Sequence, residues 1–354
     1  MTTVVRRPVR LLQVLLPLLV LAAAGLLAAG PADAVEDGES GALPIAGTFS
    51  YSLGGNDTLP LVRGAVHAVR RVPGGTAVYY SLGVPAGDRW TATGSMPVAS
   101  LQEDYVSGDA AAVALVDPVG LRYYQPLVGP DGCLCPKVYE LGRDSGVLHV
   151  GWAVVPELPA GVETVSVAFG FGNQVEDVPV GQGPLTPEVD APSTQLGQGW
   201  PRLPSTAGVS SPDRYVRDLV RNAGALDGAV STAERPGRVD ESLSADVLFA
   251  VDSAELSGTA QTTLRELAAR LSARAVGEVT VTGHTDSSGA NGYNLQLSTA
   301  RAQAVLDALR PGVPTKLPLA ALGRGEQEPV ADNGTDAGRA QNRRVTVTYS
   351  VQAP

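Results

Sequence analysis

Along residues 239–350 the apolar period of the chain switches back and forth between that of a strand and that of a helix, which leaves few folds open to it. SADVLFAV reads as an apolar strand. LRELAARL then places Leu264, Leu267, Ala268 and Leu271 at i, i+3, i+4 and i+7, one face of a helix. EVTVTGH alternates Val279 and Val281 against Thr280 and Thr282, the pattern of a strand with one face in a core. STARAQAVLDAL repeats the helical face with Ala302, Val305, Leu306 and Leu309, and LPLAALG and RRVTVTYS supply two closing strands. The order βαβαββ gives an α/β (α+β) sandwich, a mixed sheet with its helices on one face, over residues 239–354.

Upstream, residues 35–180 read as strand after strand. LVRGAVHAV, GTAVYYSLGV, AAVALV, VLHVGWAVV and ETVSVAFGFG are short β-branched or apolar runs cut by Pro, Gly and Asp, as in VPGG. This is the pattern of an all-β, sandwich-like antiparallel domain. A transmembrane barrel needs even strands of about ten residues with aromatic girdles, and these runs are uneven and poor in aromatics. Residues 181–213 are dense in Pro, Gly, Ser and Thr, the composition of a linker. DRYVRDLVRNAGALDGAV follows as a short helix, so residues 181–238 read as a spacer between two folded units.

Residues 1–34 carry the marks of a signal peptide. MTTVVRRPVR is cationic, LLQVLLPLLVLAAAGLLAAG is apolar, and PADA offers Ala32-x-Ala34, the small-residue pattern that signal peptidase requires. Cleavage there starts the mature chain near Val35. The competing reading is an uncleaved anchor, in which the apolar run stays as a bilayer-spanning helix. Export also bears on Cys133 and Cys135, the only two cysteines. An oxidising compartment favours a disulfide between them, and two thiolates with no histidine at motif spacing do not make a zinc site. The formal net charge of −10, with acids spread along the chain, excludes nucleic acid and anionic lipid as partners held by charge alone.

The residues that carry chemistry fall in GHTDSSGANGYNLQLSTARAQAV, where Asp286 follows a strand and Arg301 sits in the next helix. Together with Phe249, GRGEQEPVADN and GRAQNRRVTV, this segment resembles the OmpA-like C-terminal domain, the peptidoglycan-associated module of outer-membrane protein A, peptidoglycan-associated lipoprotein and flagellar stator B subunits. The resemblance covers about a third of the chain. It implies a peptidoglycan-binding site for the diaminopimelate residue of stem peptides, whose side chain ends in an ammonium and a carboxylate. By this resemblance Asp286 takes the ammonium and Arg301 the carboxylate, since a planar guanidinium pairs both oxygens as a lysine cannot. It further implies that Asn294 supports the loop and touches the ligand, that Thr285 offers its backbone N–H or hydroxyl, and that Arg343 adds a second cation at the rim, with Arg344 structural. The chain departs from the family pattern at Ala250, where many members carry Asp or Asn after the Phe. That polar contact is lost or falls to the main chain.

Each of these residues has a plainer reading. Asp286 serves equally as a turn cap before Gly289, and Arg301 as a solvated helix residue. The string of motifs in order, over one domain length, favours binding. His284 reads as a strand-end residue packed on the sheet, because no other His or Cys stands in the domain to make a metal site. Gly323, Gly325 and Glu326 read as turn chemistry and not as a phosphate loop. Tyr293 either stacks on a sugar or covers the sheet edge. No cofactor and no metal is expected. The sequence thus reads as a non-enzymatic protein of the extracytoplasmic envelope, in cell wall or periplasm with outer-membrane association open, that anchors non-covalently to peptidoglycan and leaves its β domain to an unidentified protein partner. Two alternatives stand against it. A membrane-anchored porin-like or stator-type component requires the uncleaved N-terminal helix or a barrel; a wall-modifying enzyme requires a catalytic pairing that the three scattered histidines do not provide.

Overall fold

The computed structural model describes residues 43–52, 61–87, 104–106, 108–141, 144–225 and 228–352. The signal segment 1–34 and the expected mature start near Val35 lie outside the described residues.

The first of two cores is built on the strands Leu61–Val72, Gly75–Gly83 and His149–Val155, adjacent and antiparallel. Within VPGG, Gly74 takes φ +74, which an L side chain rarely adopts, and so lets the first two strands reverse in two residues. GTAVYYSLG is buried at every position, so both of its faces need cover. Successive side chains point to opposite faces, and the neighbours of two tyrosines identify each cover. Tyr80 meets the ring of Phe169, from the strand Thr164–Phe169, edge-on at 5.6 Å. Tyr79 meets Trp200 at 5.7 Å, and its hydroxyl accepts a hydrogen bond from the Leu185 N–H at 3.4 Å.

That second cover comes from the segment expected to be a linker. Leu185 and Trp200 are buried, and Trp200 also packs on the His67 ring at 5.2 Å. Short strands at Thr194–Gln195 and Glu188–Val189 pair with His149–Val155 and Trp200–Pro201. A few large apolar side chains in a Pro- and Gly-rich segment are enough to seal a strand face, and average composition does not register them. Nor do the described residues after 213 form the short helix expected there. A 3-10 turn at Pro212–Tyr215 buries Tyr215, and the chain continues as Val216–Asp218, which pairs with Arg122–Tyr124 and forms the edge of the sheet. Edge pairing satisfies this backbone without a helix.

Ten strands of this region form one curled sheet, with the pairs Val128–Gly129/Gly132–Cys133 and Glu188–Val189/Trp200–Pro201 outside it. The two arms are joined by Gln174–Gln182. Its earlier part pairs antiparallel with Thr164–Phe169; after an irregularity between Val175 and Val178, its last three residues pair parallel with Val69, Arg70 and Arg71. A bulge bends its strand, which allows one strand to serve both arms. Cys133 and Cys135 are disulfide-bonded, beside a hairpin of Val128–Gly129 and Gly132–Cys133.

The second core belongs to a six-stranded sheet ordered Arg221–Gly224, Val230–Arg235, Arg238–Ser244, Arg344–Val351, Ala275–Gly283, Leu319–Gly323. Its helices are α1 (Ala245–Leu248), α2 (Ala260–Arg274), α3 (Asn291–Leu309) and α4 (Asp336–Asn342). Leu264, Leu267, Ala268 and Leu271 of α2, and Ala302, Val305, Leu306 and Leu309 of α3, are buried with Val239, Leu243, Val279, Val281, Val345 and Val347 of the strands. The alternate strand residues, among them Ser242, Thr282 and Thr346, are only partly buried.

The first strand of this sheet differs from expectation. SADVLFAV is not a strand: Ala245–Leu248 form α1, and the strand is the preceding RVDESLS. An unbroken apolar run does not distinguish strand from helix. RVDESLS escapes notice because one of its core positions is Glu241, 1% exposed. That carboxylate is satisfied internally, by Arg270 Nη2 at 2.6 Å and by the Tyr349 hydroxyl at 2.9 Å. The hairpin of Arg221–Gly224 and Val230–Arg235, also unanticipated, is tied to the same unit through Glu234, which pairs with Arg221 at 2.7 Å and with Arg274 at the end of α2.

Candidate functional site

The site forms where the strand Ala275–Gly283 ends against the start of α3. A Cβ on Gly283 would sit 2.0 Å from the Ser298 carbonyl oxygen, so glycine is what lets strand end and helix approach this closely. Gly325, at φ +54, closes in from the next loop. Its N–H donates to Ser298 Oγ at 2.9 Å, and its carbonyl accepts from the Thr285 N–H at 2.9 Å. GRGE is therefore turn and close-packing chemistry. Asp286 follows, 7% exposed, and its Oδ1 accepts the Ser288 N–H at 2.9 Å in a tight turn completed by Gly289 at φ +91. Asn294, in the first turn of α3, braces this loop by donating to the Asp286 carbonyl at 3.3 Å and to Glu326 Oε2 at 2.7 Å.

Asn294, Leu297 and Arg301 recur at i, i+3 and i+7 on α3 and line one cavity of about 410 Å³ with Phe249, Asp286 and Arg343. Arg301 is 5% exposed. Its guanidinium lies over the Phe249 ring at 5.3 Å, and its Nε donates to the Ser253 carbonyl at 2.9 Å. Its two terminal nitrogens make no hydrogen bond or ion pair with any described residue. Burial lowers the pKa of this arginine, while Asp246 and Asp252 act in the opposite direction.

Arg343 faces it from the junction of α4 and the last strand. Its Nη1 donates to Asp286 Oδ2 at 2.6 Å, and its Nε and Nη2 grip both oxygens of Asp246 at 2.8 and 2.7 Å. Asp246 foremost, with Asp286, holds the Arg343 pKa above its ordinary value. Burial alone would push the Asp286 carboxyl up. The hydrogen bonds from Arg343 and Ser288 outweigh it and hold that carboxyl below the usual range. The preceding residue fixes the junction: buried Asn342 accepts from the Val330 and Ala331 N–H groups at 2.8 and 3.0 Å and donates to the Ala331 carbonyl and to Asn333 Oδ1. Arg344 donates to the carbonyls of Asn342 and Glu328.

Asp286, Arg301, Asn294, Thr285 and Arg343 thus line one cavity, with the Thr285 hydroxyl buried and without a partner. Ala250 borders it too and brings no polar side chain. Sequence reasoning missed Asp246, which stands three residues before Phe249 in no recognised motif. Its signal was there as the single acid inside SADVLF, out of place in a core strand and natural at the first turn of α1. His284 lies apart from this cavity. Burial, then Arg344 and Arg324, lower its pKa to about 4, so it is neutral near pH 7. Among the described residues no group of three or more His, Cys, Asp or Glu is placed to hold a metal ion, and no helix is long and apolar enough to cross a membrane.

Comparison with known proteins points to the same part of the chain. The OmpA family matches residues 248–343. Outer membrane porin F of Pseudomonas fluorescens is 41% identical over 110 residues, 30% of this chain and 33% of that protein. YfiB of Escherichia coli K12 is 37% identical over 110 residues, 30% of this chain and 68% of that protein. Peptidoglycan-binding protein ArfA of Mycobacterium tuberculosis H37Rv is 36% identical over 104 residues, 29% of this chain and 32% of that protein. The similarity therefore spans about a third of the length of porin F and of ArfA. By the domain that contains Phe249, Asp286, Arg301 and Arg343, the chain belongs to the OmpA family.

Proposed function

We propose that this is a cell-envelope protein that holds peptidoglycan non-covalently, its C-terminal domain gripping the diaminopimelate end of stem peptides. The observation that carries the reading is the pairing of opposite charges in one cavity: the Asp286 carboxylate on one side, and on the other Arg301, whose terminal nitrogens have no partner among the described residues. A side chain ending in ammonium and carboxylate matches both. Asp286 shares its carboxylate between Arg343 and the ligand's ammonium, while Arg301 pairs both oxygens of the ligand's carboxylate. Asn294 keeps the acid in place, and the buried Thr285 hydroxyl gains a partner. The name of ArfA, a peptidoglycan-binding protein, supports a binding role and not a catalytic one. The sheet interactions through Glu234 support a binding unit that starts near Arg221, earlier than the sequence suggested. In the β-rich region, a core shared by both arms supports reading the curled sheet as two packed layers.

The test is retention of the protein on purified diaminopimelate-type sacculi, with free diaminopimelate as competitor. Competition should release it, and Arg301→Ala should weaken retention by about 2–5 kcal/mol with the fold intact. Retention that survives both competition and Arg301→Ala would contradict the proposal.

A further inference from the structure

We propose that the open face of the C-terminal sheet is a second binding surface, for the neutral, hydroxyl-rich glycan strand of the same polymer whose peptide enters the Asp286–Arg301 cavity. The inference rests on the wall-binding reading above. Ser231, Ser242, Thr346 and Thr282 stand in register on four adjacent strands, so their side chains form one row across the face away from the helices. At a strand spacing of about 4.8 Å the row is about 14 Å long, the scale of a short oligosaccharide. All four border a single shallow cavity of about 910 Å³. None of their hydroxyls hydrogen-bonds to a described residue.

Around the row, Arg235 and Arg238 share Asp240 at 3.1 and 2.8 Å, Arg343 is held by Asp246 and Asp286, and Arg344 donates to the carbonyls of Asn342 and Glu328. Between these side chains the row itself offers a ligand neutral groups that both donate and accept, which suits a polyhydroxylated chain.

A second, independent observation comes from His284, at the end of the same face. It is 3% exposed and borders the cavity. Its Nδ1 has no hydrogen-bond partner; Glu328 Oε2, at 4.0 Å, is too far. A buried ring nitrogen left unmatched is costly and uncommon, and a ligand hydroxyl would satisfy it. Arg343 borders both this cavity and the charged one. A polymer carrying peptide side branches on a sugar backbone presents the two required chemistries side by side, and the shared arginine marks where one surface passes into the other.

The experiment uses the full chain with two probes: glycan strands freed of stem peptides by an amidase, and isolated stem peptides. The glycan strands should bind, and Ser242→Ala with Thr346→Val should weaken that binding by about tenfold while leaving stem-peptide affinity and thermal midpoint unchanged. No glycan binding by the unaltered chain, or equal binding by the double variant, would overturn the proposal. Self-association of the chain that is lost in the double variant, with no glycan binding, would overturn it in favour of an interface between copies. Glycan binding retained while stem peptides fail to bind would instead overturn the reading of the charged cavity.

Discussion

Arg343 Nη1 donates to Asp286 Oδ2 at 2.6 Å, so the acid assigned to a ligand's ammonium already shares its charge with a cation of the protein. Because Arg343 is anchored at the same time by both oxygens of Asp246, it steadies Asp286 without swinging across to neutralise it fully. The pairing holds the Asp286 carboxyl below its ordinary value. A depressed carboxylate contributes stability that is present above its unfolded pKa, about 3.9, and is lost as pH falls through the folded value. Arg343→Ala should therefore move the Asp286 titration upward, as followed by carboxyl NMR, and make stability fall less steeply with acid in that range. A titration unchanged by the substitution would remove Arg343 as the cause.

His284 adds to the same loss of stability with acid, in a higher pH range. Its folded pKa, lowered to about 4 by burial and by Arg344 and Arg324, lies below the unfolded value of about 6.5. The unfolded chain therefore takes up the proton first, and stability declines as pH falls from about 6.5 to about 4. His284→Gln should flatten that part of the stability curve in urea titrations. A slope as steep in the variant would show that other groups set it.

Gly283→Ala places a methyl group 2.0 Å from the Ser298 carbonyl oxygen, an atom of the α3 backbone that cannot step aside alone. The helix carrying Asn294 and Arg301 must shift from the strand end that leads into the Asp286 turn. Destabilisation of about 1–3 kcal/mol is expected, with loss of wall binding beyond what the drop in folded fraction explains. Full binding at temperatures where the variant remains folded would show that the cavity tolerates the shift.

Trp200 covers Tyr79 and His67, so residues 181–213 belong to the first core. Limited proteolysis should spare the stretch around Trp200 in the intact protein. Trp200→Ala should cost about 3–5 kcal/mol and open that stretch to cleavage. Rapid cleavage there in the unaltered chain would restore the linker reading.

How much of this was legible in the sequence follows from which signals are local. The buried faces of α2 and α3 and the strand containing Val279 and Val281 follow directly from period, because each buries a single continuous stripe. Arg238–Ser244 was hidden by Glu241, whose partners Arg270 and Tyr349 are 29 and 108 residues away. Trp200 carried no period at all, and its role depends on Tyr79 across the fold. At the site, Asp286 and Arg301 stand in recognisable motifs, whereas Asp246 acquires its role only when Arg343 arrives 97 residues later. Long-range pairings of single charges leave no mark that a local pattern can carry.

The central claim, that Arg301 and Asp286 together read a zwitterionic side-chain end, is tested most directly by calorimetric titration of the protein with two stem peptides, one carrying diaminopimelate and one carrying lysine at the same position. The unaltered protein should prefer the diaminopimelate peptide by at least about tenfold, because the lysine peptide leaves the buried Arg301 guanidinium without a carboxylate. Arg301→Ala should abolish that preference by weakening the first peptide only. Equal affinity for the two peptides in the unaltered protein, or a preference that persists in Arg301→Ala, would contradict the account.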